Sequence, residues 1–565
     1  MTQSTRYARR WSRRRVLGTA TGGAAALSLA ALGVGCGGDD DDAGGNGDSP
    51  VNLPTVAAPT SEPKRGGVVN LATNETFPHL DLHRHIAPTL TQVASLTTNR
   101  LLRHKTDPSV RPTDYELEGD AAESWEQADE LTLILKLRPG ITWQDRPPVN
   151  GRPLVAQDVI AVFDRQRTKQ PEFIYSYLFD WIDSMTAPDD QTIVIKAKQP
   201  TFRGPGTLAL RELPILSIEA IEAAGSLETV EAWVGIGPFI LKEWQKDVAF
   251  TFERNPNYWE GNGLPYLDGV VIRQIPDASS RLSAFLAGEI DQIEGIEPEL
   301  VSTVKSSRSD ARIYTFSAVG GQHFAWTVKG DSPFRDPRVR RAWSLLIDRQ
   351  GMSSALNGDQ AEIRISPLSP GFTNWARSQD EIKADDLYDV AEAKRLLEAA
   401  GYPDGFTTKL MGRANNASIN AWVEWAVRQG KQVGIEIQPD TVESTVYLQA
   451  QRDHNFAHGQ VYSIRAYDDP DEYLYPLFHT GASKNYFETA DPELDALIQK
   501  QRGVLDAEER RAILQEIDRR WTTDFNYHTF VNTLFRNDAI ANRVQNHQVR
   551  VVTEYSQLRY AWLES

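Results

Sequence analysis

The distribution of apolar residues along the chain predicts a mixture of strands and helices. Short alternating or β-branched apolar runs predict strands at 131–137 and 192–196. Apolar residues at helical spacing predict helices at 338–348, 389–400 and 508–521. Glycine and proline in Gly401-Tyr402-Pro403 mark the end of the second helix. Beyond residue 65 no apolar run approaches the ~18 residues that a membrane span needs, so we expect a body outside the membrane.

The first 36 residues are typical of an export signal. Six arginines precede a weakly apolar run over 16–35. The string Ser12-Arg13-Arg14-Arg15 resembles a twin-arginine motif. The signal ends at Cys36 in a sequence that resembles a bacterial lipobox, which predicts lipidation of Cys36. Cleavage and release without a lipid is the alternative. Either route predicts an extracytoplasmic location.

Residues 36–63 are predicted to be a flexible acidic and glycine-rich tether. They contain four consecutive aspartates at 39–42, followed by glycine, asparagine, serine and proline. Such a composition cannot bury enough apolar surface to fold.

Composition and charge exclude several classes of protein. The 565 residues contain 60 Lys and Arg against 77 Asp and Glu, which gives a net charge of −17. Removal of the signal takes away six arginines and no acid, and leaves −23. Without a basic stripe, nucleic acid is not expected as a partner. Because Cys36 is the single cysteine, an intrachain disulfide and a cysteine-ligated zinc site cannot form.

Eight widely spaced segments together resemble the extracytoplasmic solute-binding proteins of ABC importers, in the peptide, nickel and oligosaccharide group called family 5. The segments lie at 65–83, 119–125, 135–143, 156–159, 235–239, 254–259, 287–291 and 333–342. Their order is that of the family, and the resemblance covers most of residues 65–530. Most of them have local interpretations as turns or helix starts, so they mark the fold more than the site.

The resemblance implies an α/β chain with a two-lobed periplasmic-binding-protein-like fold of class II type and an extra domain inserted in the first lobe. The implied division is a signal at 1–35, a tether at 36–63, domain I at 64–105, 226–311 and 530–565, domain II at 106–225, and domain III at 312–529. Solute would bind between the lobes, whose closure depends on the solute's preference for the closed state.

The same resemblance implies a monomeric binding protein, not an enzyme, without a cofactor. It would deliver a peptide-like or other small polar solute to the permease subunits of an ABC importer. Two alternatives of other classes stay open: an exported hydrolase on a lipid anchor, and a chaperone or sensor with the same fold. The sequence has neither a Gly-x-Ser-x-Gly elbow nor an HExxH helix, which argues against the hydrolase.

In peptide-binding relatives the ligand backbone pairs with two short extended segments. The resemblance places the first at Ile86 and Ala87, followed by Pro88, which has no N–H to donate. It places the second at the four residues Tyr462, Ser463, Ile464 and Arg465.

An acidic turn follows the second segment. In relatives an aspartate near this point holds the ligand's ammonium group, and here that position is Ala466. Asp468 or Asp469 could substitute for it, or the acids could form a solvated turn. Arg465 could face a ligand carboxylate or pair with these acids.

Two further residues, His323 and Phe324, are expected near the crossing between lobes. Each is a candidate ligand contact, with a core position as the alternative. Metal sites could be formed by His79, His83 and His85, or by His454 and His458 on one helix face. We predict no metal at either cluster, because no cysteine or HExxH frame accompanies them.

Overall fold

The computed structural model describes residues 62–84, 88–106, 110, 116–168, 173–261, 263–358, 360–414, 416–455, 458–464, 467, 469–482, 484–551 and 554–564. The predicted signal, the lipidation site Cys36 and nearly all of the tether lie outside these residues. Among the helices that are described, none is both long enough and apolar enough to cross a membrane.

The described residues form fifteen α-helices along the chain. They are α1 (Pro88–Thr97), α2 (Ala156–Arg167), α3 (Arg203–Thr207), α4 (Ile218–Ala224), α5 (Ala278–Leu286), α6 (Val301–Ser307), α7 (Pro337–Leu346), α8 (Arg349–Asn357), α9 (Gln379–Asp385), α10 (Val390–Ala399), α11 (Ala417–Lys431), α12 (Ser444–Arg452), α13 (Asp471–Phe478), α14 (Pro492–Gly503) and α15 (Ala507–Arg520).

Twenty-one strands are found in the same residues. They are β1 (Val68–Thr73), β2 (Leu102–His104), β3 (Leu117–Gly119), β4 (Ala122–Asp129), β5 (Thr132–Leu137), β6 (Ile182–Asp189), β7 (Thr192–Ala197), β8 (Phe239–Gln245), β9 (Ala249–Arg254), β10 (Gly269–Gln274), β11 (Gln292–Ile293), β12 (Arg312–Ser317), β13 (Gly321–Trp326), β14 (Ala361–Ile363), β15 (Thr407–Arg413), β16 (Glu436–Val442), β17 (Gly459–Ile464), β18 (His528–Phe530), β19 (Asn532–Ile540), β20 (Val544–Gln545) and β21 (Trp562–Leu563).

Four larger sheets organise these strands. The first-lobe sheet has the order β1-β10-β9-β8, and a side sheet has the order β4-β5-β7-β6. The second-lobe sheet has the order β16-β15-β17-β13-β18. A crossing sheet, β11-β19-β12 with β14 paired to β19, contains the segments that lead from one lobe to the other. Two-stranded pairs β2-β3 and β20-β21 complete the set.

The predicted elements are confirmed with shifts of one residue or two at their ends. The predicted strands are β5 and β7, and the predicted helices are α7, α10 and α15. At the end of α10, Gly401 adopts φ +92°, and the N–H of Tyr402 donates to the carbonyl of Leu397 at 2.8 Å. This is the glycine-capped end that the sequence predicts.

Two backbone segments cross between the lobes. β12 of the crossing sheet continues into β13 of the second-lobe sheet after three residues, and β18 continues into β19 after Val531 alone. The N–H of Ala318 donates to the carbonyl of Leu534 at 3.0 Å, so the two crossings stay paired between the sheets. Gly321, with φ +143°, provides a backbone conformation that other residues rarely adopt.

Arg364 joins the two crossings from one side. Its N–H donates to Val531 O at 3.0 Å, and its guanidinium donates to Ser366 O at 2.9 Å and to Gly320 O at 3.4 Å. The side chain is fully buried. Arg364 thus bonds one crossing through its guanidinium at Gly320 and the other through its backbone N–H at Val531, which fixes their spacing at the point where the lobes meet.

The second-lobe sheet is covered on both faces. On one face Phe324, Trp326 and Trp343 pack with α7 and α11 in an apolar core. On the other face His323 and His528 stack with ring centroids 4.9 Å apart, under Phe478 of α13. No ring nitrogen of the two histidines has a hydrogen-bond partner among the described residues. Burial lowers the pKa of His528 to about 3 and that of His323 well below its usual value.

This burial predicts that acid destabilises the fold through His528. The unfolded chain binds a proton near pH 6.5, whereas the folded chain binds it only near pH 3, so stability falls as pH drops below 6.5. We expect His528→Phe to reduce the loss of unfolding free energy between pH 7.5 and pH 5 by about 2 kcal/mol. Urea denaturation at both pH values measures it.

The control for this prediction is His454→Asn. His454 is 39% exposed and has φ +52°, which asparagine tolerates. We expect this variant to keep the wild-type difference between the two pH values. An unchanged difference in His528→Phe would contradict the prediction.

Candidate functional site

The carboxyl ends of parallel strands in the second-lobe sheet form the first wall of the candidate site. β15 runs parallel to β16 and to β17, and these strands end at Arg413, Val442 and Ile464. β13 is antiparallel to β17 and begins at Gly321 opposite Ile464. Ligands of α/β sheets bind outside the carboxyl ends of the strands. Here that edge also adjoins the crossing between the lobes.

β17 has a partly unpaired edge at this wall. It pairs with β13 along its whole length, from Gly459 to Ile464. Its register with β15 contains two pairs, at Gly459 and Gln460, after which β15 is not paired with it in the described residues. Residues 462–464 are therefore not paired with β15 in the described residues, whereas the carbonyl of Val461 accepts a hydrogen bond from the hydroxyl of Tyr447 in α12.

The predicted residues of the second segment lie in this stretch with different exposure. Tyr462 is half-buried, and its ring lies 5.4 Å from that of His323 and 6.3 Å from that of Tyr486. Ser463 is exposed, whereas Ile464 is 5% exposed and belongs to the core. Since neighbouring side chains of a strand alternate between faces, Tyr462 and Ser463 point to opposite faces of the sheet.

Arg413 is a cationic residue at this edge that the sequence analysis missed. Met411 of β15 is the register partner of Gln460 in β17. Arg413, at the end of β15, lies two residues after Met411, and Tyr462 lies two residues after Gln460. Arg413 and Tyr462 thus lie on the same face of neighbouring strands. Arg413 Nε donates to Ser444 Oγ at 2.8 Å, and no carboxylate pairs with it among the described residues. The sequence signal that could have identified Arg413 is an apolar run that ends in an arginine at the carboxyl end of a strand.

The two residues expected near the lobe crossing both belong to β13. His323 and Phe324 are fully buried, on opposite faces of the sheet. Phe324 contacts Trp343 and Trp422 in the core under α7 and α11. Their role as ligand contacts stays a prediction, and their burial favours packing.

The remaining predicted contacts are outside the described residues. These are Ile86, Ala87, Arg465 and Asp468, together with Ala466, for which an ammonium-holding acid would be expected. Pro88 is the first residue of α1, so the first predicted segment borders a helix. This placement suits proline, whose missing N–H has no partner at that position in any helix.

The acidic turn after β17 is engaged in ion pairs. Asp469 accepts two hydrogen bonds from Arg510, at 2.7 Å to each oxygen, and Arg510 is fully buried. Burial alone would raise the pKa of Asp469, but the charge and hydrogen bonds of Arg510 lower it below its ordinary value. Asp471 pairs with Arg502 at 3.2 Å. The described acids of this turn are therefore not a solvated turn.

A cavity of about 280 Å³ lies at the corresponding edge of the first lobe. Its wall includes Thr73, Asn74 and Glu75 at the end of β1, and Glu294 just beyond β11. Arg536 of β19 completes it and donates to Glu294 Oε2 at 2.8 Å. Carboxyl ends of strands thus adjoin the crossing sheet in the first lobe as in the second. Of the predicted site residues that the structure describes, none lines this cavity.

No group of three or more potential metal ligands converges among the described residues, which leave out His85. The expectation that His454 and His458 share a helix face is wrong, because α12 ends at Arg452 and His454 has φ +52°. His83 is buried, and its Nδ1 is in contact with Arg165. Burial, together with this arginine, lowers the pKa of His83 to about 3.

Comparison with known proteins agrees with this arrangement. Residues 116–485 match the model of the bacterial extracellular solute-binding proteins, family 5. Heme-binding protein A of Haemophilus influenzae is 28% identical over 71% of this chain and 76% of its own length. The dipeptide-binding protein of Escherichia coli is 26% identical over 69% of this chain and 76% of its own length.

Solved structures support the fold. The periplasmic binding protein DppA of Helicobacter pylori, in complex with the peptide STSA, has a TM-score of 0.71 at 22% identity, over 89% of this chain and 99% of its own. HbpA2 of Haemophilus parasuis has a TM-score of 0.74 at 21% identity, over 88% of this chain and all of its own. The two-lobed α/β fold is thereby confirmed.

The curated relatives are binding proteins by name, and the family match extends over most of the described chain. The chain therefore belongs to family 5 of the bacterial extracellular solute-binding proteins, and it acts outside the cytoplasm by binding and not by catalysis.

Proposed function

We propose that this protein captures a peptide-like solute with a free carboxylate between its lobes and delivers it to an ABC importer. The observation that carries the proposal is the edge of β17 from 462 to 464, which β15 leaves unpaired in the described residues. An extended solute backbone adds to such an edge by main-chain hydrogen bonds. The names of the relatives that bind a dipeptide or the peptide STSA agree with this solute class.

Arg413 supplies the charge that orients such a solute. It lies on the strand beside the open edge, half-buried, and donates a hydrogen bond to the hydroxyl of Ser444. Its guanidinium can donate two parallel hydrogen bonds to a carboxylate. A solute that pairs with β17 and ends in a carboxylate satisfies both features at once.

The ammonium end of the solute is recognised elsewhere than at Asp469. Arg510 already neutralises that carboxylate with two hydrogen bonds. A second cation at the same acid would have to displace a fully buried arginine, which leaves a buried charge without its partner. The solute class is therefore defined here by its backbone and its carboxylate.

We further propose that the protein is held at the membrane by a lipid on Cys36, through the tether at 36–63, after export by the twin-arginine route. The acidic, glycine-rich tether suits a body that must meet its permease while anchored at one end. For domain I, domain II and domain III we propose the ranges that the resemblance implies. The protein is proposed to work as a monomer.

The test of the solute class uses synthetic peptides of two to five residues, including Ser-Thr-Ser-Ala, in free-acid and C-terminally amidated forms. We expect the purified protein to bind free acids, as measured by calorimetry, and to return them unchanged in mass. Hydrolysis of the peptides by the protein alone would favour the exported hydrolase. Absence of binding by every peptide would contradict the proposed solute class.

Arg413→Gln is expected to weaken the binding of free-acid peptides by about 10- to 100-fold, because a hydrogen-bonded charge pair contributes ~1.5–3 kcal/mol. Amidated peptides should bind the variant and the wild type equally. Calorimetric titration of both peptide forms measures the difference.

The matched control is Arg428→Gln, which removes the same charge from an exposed position of α11 in the same lobe. It should leave both peptide forms unaffected. Equal loss for acid and amide in Arg413→Gln would refute the assignment of Arg413 to the carboxylate.

Asp469→Asn is expected to reduce the free energy of unfolding by about 3 kcal/mol, because it leaves Arg510 buried without its charge partner. Urea denaturation of the purified variant measures the effect. The control is Asp331→Asn, whose side chain is fully exposed. If Asp469→Asn kept wild-type stability and lost only peptide affinity, the acidic turn would hold the solute directly.

A further inference from the structure

A contact between the lobes lies apart from the proposed solute edge. On the first-lobe side it is formed by Phe202 and Arg203, at the start of α3. The segment of α3 is fixed to that lobe, since the N–H of Leu102 in β2 donates to the carbonyl of Leu208 at 3.3 Å. On the second-lobe side it is formed by the first turn of α13 and by α14 and α15.

An ion pair is the centre of this contact. Arg203 Nη2 donates to Glu472 Oε1 at 2.8 Å, and Arg203 Nη1 lies 3.9 Å from Asp471 Oδ2. The side chains of Arg203 and Glu472 are 15% and 6% exposed. Charges removed from water to this degree are stabilised only while their partners stay in place.

Backbone and aromatic contacts accompany the ion pair. The N–H of Phe202 donates to the carbonyl of Arg502 at 2.7 Å. The ring of Phe202 lies 5.8 Å from that of Trp375, edge to face, and the guanidinium of Arg510 lies over both rings at 4.6 and 4.7 Å. Phe202 is thus held by groups of the second lobe on several sides.

The second-lobe side is ordered by its own hydrogen bonds. Gln501 Nε2 donates to Asp471 Oδ1 at 2.6 Å, and Arg510 Nε donates to Gln501 Oε1 at 2.9 Å. Arg510 in turn holds Asp469, and Arg502 holds Asp471. Three carboxylates and two guanidinium groups of the second lobe therefore meet here, and Arg203 brings a third guanidinium that balances the charge.

We propose that Phe202 and Arg203 of the first lobe and the acidic start of α13 form an intramolecular latch that stabilises the closed state. Opening of the cleft must separate Arg203 from Glu472, because the two residues belong to lobes that move apart. The latch adds to closure whatever the solute is. It shifts the equilibrium toward the closed state by its own differential free energy, so part of the protein closes before solute binds.

The latch also gives the acidic turn a role in place of solute recognition. The acids that follow β17 are neutralised by arginines of the protein, one of which comes from the opposite lobe. A cationic solute group would compete with Arg203 for the same carboxylates and would favour the open state. The chain thus selects against a solute whose positive charge enters this turn.

The test compares solute-free full-length protein with Arg203→Met and with Glu472→Gln, by hydrogen–deuterium exchange and small-angle X-ray scattering. Each change removes one charge of the Arg203–Glu472 pair, so the remaining charge loses its 2.8 Å contact at a position with little exposure to water. We expect exchange in peptides that contain the Phe202 amide to be faster by roughly tenfold. The radius of gyration is expected to increase in both variants.

The control is Arg273→Met, which removes an arginine from an exposed ion pair with Glu289 within the first lobe. It should change neither quantity. The double variant Arg203→Met with Glu472→Gln should show less than the sum of the two single effects, because it removes both charges. Circular dichroism melting checks that each variant is folded, and Glu472→Gln keeps the test available if Arg203→Met fails to fold.

Wild-type exchange and an unchanged radius in both folded single variants would overturn the latch. The experiment contains no solute, so a failure of the peptide proposal leaves it unaffected. Conversely, if the protein binds peptides but neither single variant changes the exchange or the radius of gyration, the proposed solute class is unaffected.

Discussion

Two backbone crossings, paired with each other, are the constraint on which the molecule depends. β12 continues into β13 and β18 into β19 with no more than three residues between them. Connections this short cannot let the lobes drift apart, yet they leave a few dihedral angles that can change. Arg364, buried between carbonyls of both segments, keeps the crossings together while the lobes turn about them.

Strand polarity then decides where a solute can meet both lobes. β1 ends beside β11 of the crossing sheet, and β15, β16 and β17 end beside the start of β13. Main-chain groups and side chains at these ends lie next to the hinge between the lobes. The divergence of β15 from β17 adds an unpaired strand edge at this point. The proposed site for an extended backbone depends on this sheet order and register.

The charges near the proposed solute edge are largely paired within the protein. The protein is strongly acidic, yet the acids of the turn after β17 form ion pairs with arginines of the protein. Arg510 and Arg502 belong to the same lobe, and Arg203 belongs to the opposite lobe. Arg413, by contrast, has a hydroxyl partner. Because buried charges need partners, the internal pairs decide which charge of the site can be offered to a solute. This distribution supports the proposal that a negative solute group binds at the second-lobe edge.

The sequence by itself determined the fold class, the elements and the family. Alternating runs gave β5 and β7, helical spacing gave α7, α10 and α15, and eight ordered motifs indicated the two lobes. These are local patterns, since propensity, turn chemistry and capping act over a few residues. Tyr462 and Ser463 were predicted as ligand contacts from the resemblance to peptide-binding relatives, and that role stays a prediction.

The tertiary structure alone decided which residues share the site. Arg413 and Tyr462 are 49 positions apart and become neighbours through the register of β15 and β17. Arg203 and Glu472 are separated by 269 positions and meet only because α3 and α13 belong to facing lobes. The helix expected to carry His454 and His458 ended before them, since spacing alone does not fix a helix end. Long-range pairing depends on packing and charge compensation between distant segments, and no window of sequence contains that information.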